Sequence, residues 1–403
     1  MKVLDSEVAN AIRKEQPDRV INSRMVRRLK PQEGTFQKPQ AKSRWCVLGH
    51  QDPDAADMFT YAPTPRTESI MMFLFLLQLC DLALSIADLK NAFCQSDSLD
   101  RSAGPLFVEP CEGLDLPPGF LIQLVAPVYG LNDAPLRWHR TLTTWLIKQG
   151  YRKSLLEPCL YVHYAPGGSV DGLILIEVDD LAIGTKRMQE AEFQQRFQAA
   201  FHFGKWEKRE ASYAGRRIRQ RDQYVLVDQE KYILEKLHPV LLREKQQKDR
   251  KLSLDEFNQL RSLVYKISWV AKESRPEASG SASILAQHLK APTVSDVLIA
   301  NRVVKFLRSS ASQCLTIWRH DSKNLRVISV SDAGGIGGPP TENGGGIGGP
   351  PTENGENVQN AHLIMIADDW RSARCKRAVN STLAGETIAM SAALADAQNG
   401  HRS

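Results

Sequence analysis

The sequence predicts an α+β protein, on three observations. The chain is 403 residues long, enough for two or three domains of roughly 100 to 200 residues each. Helical and extended segments fall in separate blocks rather than in strict strand-helix alternation. Two extended segments, ending at Asp88 and at Asp179-Asp180, are apolar enough to lie inside a sheet and finish in carboxylates. Apolar residues make up 42% and charged residues 24%, a folded composition rather than a disordered one.

Along the chain, residues 20–30 and 41–50 flank the turn-prone Pro31-Gln32-Glu33-Gly34, which predicts a two-stranded hairpin with a long loop. Residues 70–86 read as a buried helix leading into the strand Leu84-Ser85-Ile86-Ala87-Asp88. Residues 119–128 are proline-punctuated strand and loop, and residues 134–149 carry helical periodicity through Leu136, Trp138, Leu142, Trp145 and Leu146. Residues 172–178 form a sheet-interior strand. A helix over 186–201 follows, then a hairpin over 213–227 turning near Arg221-Asp222-Gln223. Residues 231–307 are mostly helical, broken at Pro276 and Pro292, and strands return at 315–318 and 325–330.

Basic residues number 52 against 46 acidic, a net charge of +6. Ten of them lie between residues 13 and 44, interleaved with apolar positions, as on a face that runs along phosphates or a face that is merely solvated. The seven cysteines are scattered, with no Cys-x-x-Cys, which argues against a disulfide framework or zinc site and for a reducing compartment. The N-terminus is polar and reads as no signal peptide. The apolar run 70–86 is interrupted by Gln78 and Asp81 and is short for a span of ~20 residues. The expectation is an intracellular protein, cytoplasmic or nuclear, with no membrane partner. Residues 334–344 (GGIGGPPTENG) repeat unchanged at 345–355, a Gly/Pro loop over 334–357 that cannot bury a core.

The chemistry starts from Asp88, Asp179 and Asp180. Nucleotidyl transfer uses two magnesium ions roughly 4 Å apart, and magnesium prefers carboxylate oxygens. Adjacent carboxylates without metal raise each other's pKa, so such a cluster is costly as mere structure. By itself, an Asp-Asp pair is more often a turn.

Motifs in order change that weighting. Asp88-Leu89-Lys90-Asn91-Ala92-Phe93, residues 128–138 (VYGLNDAPLRW) and Val178-Asp179-Asp180 resemble the Asp-Val-Lys-Thr-Ala-Phe, Leu-Tyr-Gly-Leu-Lys-Gln-Ala-Pro-Arg-x-Trp and Tyr-Val-Asp-Asp motifs of copia-type reverse transcriptases. Lys42-Ser43-Arg44 with Gly49, Tyr213-Ala214-Gly215 and Ser274-Arg275-Pro276-Glu277 resemble further motifs of that family in the family's order, to about residue 310.

This resemblance implies a right hand: fingers and palm over 1–228 and a thumb or connection-like helical region over 229–320. Asp88 and Asp179 would hold two Mg2+ ions (Mn2+ as the substitute), with Asp180 supporting the site. Lys42 and Arg44 would grip the dNTP triphosphate. Phe93 would lie under the sugar and exclude a 2′-hydroxyl; without the motif it reads as a core aromatic. The implied partners are an RNA or DNA template with primer, held by its backbone, while oligomeric state is left open. Glu177 and Asp133 depart from the family's Tyr and Gln, each adding negative charge where polyphosphate would bind unless a basic neighbour offsets it.

Residues 327–333, with Asp332, resemble the first strand of RNase H. Residues 381–390 align with the family's next motif, making Glu386 a second carboxylate, though alone it reads as an ordinary helix glutamate. The expected region, 325–403, is a truncated RNase H-like α/β domain. Asp368, Asp369 and Asp396 do not fit the order of its remaining acids, so no independent cleavage of RNA in an RNA–DNA hybrid is expected. Two other readings remain open: a catalytically inactive nucleic-acid-binding remnant of a retrotransposon polyprotein, and an unrelated metal nuclease.

Overall fold

The computed structural model describes residues 1–30, 39–242, 247–320, 326–336 and 357–367. Chain contacts divide into two compact units, Met1–Ala214 and Gly215–Ser403.

The first unit is organised by a six-stranded antiparallel sheet. From one edge to the other its strands are Phe203–Lys208, Ala83–Leu89, Asp180–Thr185, Val170–Glu177, Leu160–Tyr164 and Arg152–Lys153. Strand 83–89 is buried on both faces except near its end, which is why it reads as a continuous apolar run. Helices Ala134–Lys148 and Glu190–Ala200 pack on one face, where Trp138, Leu142, Leu146, Phe193 and Phe197 meet Ala87, Ile174, Ile176, Leu181 and Ile183. Helix Thr67–Leu79 lies toward the other end of the strands, its Leu77 close against Gly184. A ribbon of Ser23–Lys30 and Gln40–Val47 pairs Arg28 with Lys42 and Val26 with Arg44.

The helix expected over 186–201 begins only at Glu190. Residues 186–189 instead make a turn closed by Gln189 N–H donating to the Lys186 carbonyl, and the Lys186 ammonium is drawn to the Cys80 carbonyl, 2.5 Å away, just past the end of helix 67–79. A cation at that place meets the negative end of the helix dipole.

In the second unit, strands Arg216–Gln220, Tyr224–Asp228 and Leu315–Trp318 pair antiparallel beside helices Leu254–Glu273, Ser279–His288 and Val294–Ser309. The helices share a core that includes Leu263, Ile267, Val270, Val297, Ala300 and Val304. Ser253 with Glu256 and Thr293 with Asp296 form capping boxes that start two of them. Arg275, whose side chain is 2% exposed, donates to Glu277 (2.6 Å), the Ser310 carbonyl (2.9 Å) and Gln313 (3.1 Å). The Ser-Arg-Pro-Glu motif is therefore a structural tie in this unit.

Strands Arg326–Ile336 and Asn357–Ala367 pair antiparallel over their whole length, Asp332 opposite Ala361. Regular pairing takes in Gly334–Ile336, the first residues of the Gly/Pro tract, opposite Asn357–Gln359. The rest of the tract, Glu386 and the acids at 368, 369 and 396 lie outside the described residues. Among the described residues no helix is long and apolar enough to cross a membrane.

Candidate active site

Three acids stand in one row across the sheet of the first unit. Asp180 pairs directly with Asp88 on one side and with Glu177 on the other, and Lys205 faces Asp88 from the edge strand. Facing residues of an antiparallel pair lie about 4.5–5.5 Å apart at Cβ and point to the same side. Their strand neighbours Ala87, Leu181 and Ile176 belong to the helix-covered core, so alternation turns the acidic row to the opposite face. Leu77 of helix 67–79 meets Gly184 on this face, near the far end of the strand that begins at Asp180. Each of the three carboxylate residues is half-buried.

Asp179 sits in the tight turn that joins Glu177 to Asp180. Val178 there has φ 56°, a positive value that a β-branched residue seldom adopts but that the primed two-residue hairpin turns require at their first position. Two contacts hold it: the Trp138 indole N–H donates to the Val178 carbonyl at 2.7 Å, and Leu89 N–H donates to the Asp179 carbonyl at 2.9 Å. The second bond ties the turn to the residue after Asp88. Gly204, at a bulge in the edge strand, leaves room for the Asp88 carboxylate, because a Cβ there would stand 2.6 Å from Oδ2.

Arg44 and Phe93 converge on Tyr129. The Arg44 guanidinium lies 5.2 Å from the centre of the Tyr129 ring, and the Phe93 and Tyr129 rings are 5.0 Å apart. Burial pushes the Tyr129 phenol up, Arg44 pulls it down, and Asp179 and Asp88 raise it further. Charges act on one another over short range through a protein surface, so Tyr129 lies in the field of both acids. Lys42 is exposed on the same face of the ribbon as Arg44, two residue pairs nearer the tip.

The loop carrying Tyr129 is locked to that ribbon by glycines. Val47 N–H donates to the Tyr129 carbonyl at 2.9 Å, and Gly130 adopts φ 101°. A Cβ on Gly130 would meet the Val47 carbonyl oxygen at 2.0 Å, and one on Gly49 would meet the Gly130 oxygen at 2.1 Å. Both glycines are needed for the close approach of two backbones.

Asp133 does not add a loose charge to this site. Its side chain is 5% exposed and is gripped by Arg101 (3.1 Å) and Arg137 (2.5 Å), while Arg101 also reaches Asp52 (2.8 Å). The basic neighbours demanded by that substitution are present. Glu177, by contrast, lies within the acidic row itself.

Neither Tyr129 nor Gly204 was singled out from the sequence. Tyr129 lies inside a quoted motif whose order gave no role to its ring; Gly204 has no sequence signal, since only pairing puts it beside Asp88. Asp332 is on a described strand, whereas Glu386 is outside the described residues. Among the described residues no group of three or more His, Cys, Asp or Glu is gathered tightly enough to enclose a metal ion.

The fold is mixed α+β, and its six-stranded antiparallel sheet carries an aspartate-bearing tight turn beside a strand-end aspartate. A family model described as reverse transcriptase (RNA-dependent DNA polymerase) matches residues 7–248, and the chain belongs to that family, in its copia-type retrotransposon branch. Similar proteins include the retrovirus-related Pol polyprotein from transposon TNT 1-94 of Nicotiana tabacum, 25% identical over 41% of this chain and 12% of that protein. The Pol polyprotein from transposon RE2 of Arabidopsis thaliana is 23% identical over 73% of this chain and 21% of its own length. The transposon Ty1-DR1 Gag-Pol polyprotein of Saccharomyces cerevisiae is 25% identical over 79% of this chain and 19% of its own length. The chain thus spans about a fifth or less of these relatives.

Proposed function

We propose that the first unit is an RNA-directed DNA polymerase that adds dNTPs to a primer on an RNA or DNA template. The observation that carries this reading is the facing of Asp88 and Asp180 beside the Asp179 turn, with Arg44 and Phe93 meeting at Tyr129. Magnesium commonly uses one or two protein carboxylates together with substrate phosphates and water, so a site without a closed cage of acids suits it. Asp88 and Asp179 are the residues that would hold two Mg2+ ions, or Mn2+, with Asp180 in support; the space that Gly204 leaves at the Asp88 carboxylate favours such a use. When bound, such ions activate the primer hydroxyl and neutralise charge on the phosphates.

The side chains supply the remaining work. Arg44, with Lys42 beside it, orients the triphosphate through charge-assisted hydrogen bonds. Phe93 lies under the sugar and excludes the 2′-hydroxyl. Arg24, Arg28, Lys42 and Arg44 share one face of the ribbon, which suits contact with template or nucleotide phosphates. Residues 325–403 are read as RNase H-like, with Asp332 and Glu386 as its acids.

Primer extension by wild type and by Asp179→Asn tests the polymerase reading. The expected result is extension by the wild type and a loss of roughly a hundredfold or more in the variant, the scale seen when one preorganised charge-stabilising group is removed. Equal extension by both overturns it. Glu177 opposite Asp180 favours a second reading, a non-catalytic remnant that binds template-primer; under it both forms bind and neither extends.

A further inference from the structure

We propose that Tyr129 is a positioning residue that couples the grip on the triphosphate to the selection of the sugar, because its ring is the common contact of Arg44 and Phe93. This deepens the polymerase reading and rests on it.

Three observations meet at this residue. The Arg44 guanidinium is over the Tyr129 ring at 5.2 Å, a geometry in which the cation is attracted to the ring's negative face. Arg44 is exposed at the ribbon surface, so without the ring its long side chain would sample many rotamers. Phe93 contacts the same ring at 5.0 Å with the planes tilted by 58°, within the range where aromatic pairs interact favourably. Phe93 follows Asn91, which has a left-handed φ of 54°, in a short helical turn just after the strand bearing Asp88, and its half-buried ring packs at the edge of two hydrophobic clusters. The backbone under Tyr129 is fixed as well, by Val47 N–H donating to its carbonyl and by Gly130 pressed against Val47. A rigid ring thus touches both groups assigned to the nucleotide, one from the ribbon and one from beside the Asp88 strand. A nucleotide whose sugar displaces Phe93 pushes on the ring that holds Arg44, so the fit of the sugar is felt at the triphosphate.

The test uses the full chain with Tyr129→Phe, which keeps a ring, and Tyr129→Leu, which removes it. In single-nucleotide primer extension, the Leu variant should raise KM for a dNTP by roughly two- to fivefold, the equivalent of one exposed cation-ring contact. Its preference for dNTP over the matching rNTP should fall as well, while the Phe variant stays near wild type. Loss of packing alone would lower kcat for both nucleotides together and leave their ratio unchanged. An unchanged ratio in the Leu variant overturns the inference while extension by the wild type upholds the polymerase reading; a wild type that extends nothing sinks both. The contact itself is read without turnover from the Arg44 Nε–H resonance, expected upfield in wild type and Tyr129→Phe and released in Tyr129→Leu. A wild-type resonance with no upfield displacement also overturns the inference.

Discussion

Replacing Gly130 by Ala strikes the close approach of two backbones that seats Tyr129 against the ribbon. The residue has φ 101°, outside the left-handed well that other residues sometimes visit, and holding Ala there costs on the order of 1–3 kcal/mol. The new Cβ would lie 2.0 Å from the Val47 carbonyl oxygen, so the ribbon must move. That movement breaks or stretches the 2.9 Å bond from Val47 N–H to Tyr129 O, worth about 1 kcal/mol net and up to about 3 if the groups stay buried and unpaired. Together the loss is about 2–6 kcal/mol, a large part of the ~5–15 kcal/mol that holds a domain. Urea unfolding of the full chain, followed by far-UV circular dichroism, should show an early transition moved to lower denaturant. Gly49→Ala should act in the same direction, since its Cβ would meet Gly130 O at 2.1 Å. A Gly130→Ala midpoint corresponding to less than about 0.5 kcal/mol would refute the close approach and, with it, the rigid seating of Tyr129.

Arg101→Ala should destabilise the first unit by about 3–5 kcal/mol in the same unfolding assay, because it leaves the buried Asp52 carboxylate without its cation and Asp133 with Arg137 alone; a loss under about 1 kcal/mol would show Asp52 to be solvated. Trp138→Phe removes the 2.7 Å indole bond to the Val178 carbonyl and should cost about 1 kcal/mol, with faster amide hydrogen exchange at Val178 and Asp179 as its local mark. Burial and, secondarily, Lys153 hold the His139 imidazole down at about 4 against an ordinary 6.5. Below pH 6.5 the unfolded chain therefore takes up a proton that the folded chain refuses. The stabilising effect is complete above 6.5 and is lost progressively between 6.5 and about 4, by about 1–2 kcal/mol after allowance for solvent screening. His139→Gln should flatten that part of the stability–pH curve, and an unchanged slope would exclude His139 as its source.

Much of the first unit was legible in the sequence because its elements carry strong local signals. The strand bearing Asp88, the strand before Asp179-Asp180 and the helix Ala134–Lys148 appear where their apolar runs and periodicity put them. The helix expected at 186 starts at Glu190 because Lys186 finds a better partner in a distant helix end, and no local pattern encodes that contact. The charge of Asp133 likewise reads as a liability in one dimension. Arg137, four residues on, was a visible partner, but Arg101 becomes one only after folding.

By itself the sequence determined the identity and order of the chemical groups: apolar strands finishing in aspartate, a basic hairpin, and the motifs that carry the family. Tertiary structure alone decided which of these groups share a face and which side chains join them. Side-chain alternation has a period of two, so a shift of one residue in pairing would turn Asp88, Asp180 and Glu177 into the helix-packed core. The pairing partner of a strand is set by contacts far away in the chain. For the same reason, Tyr129, Gly204 and Lys205 acquire a relation to the acids only when the sheet and ribbon have formed.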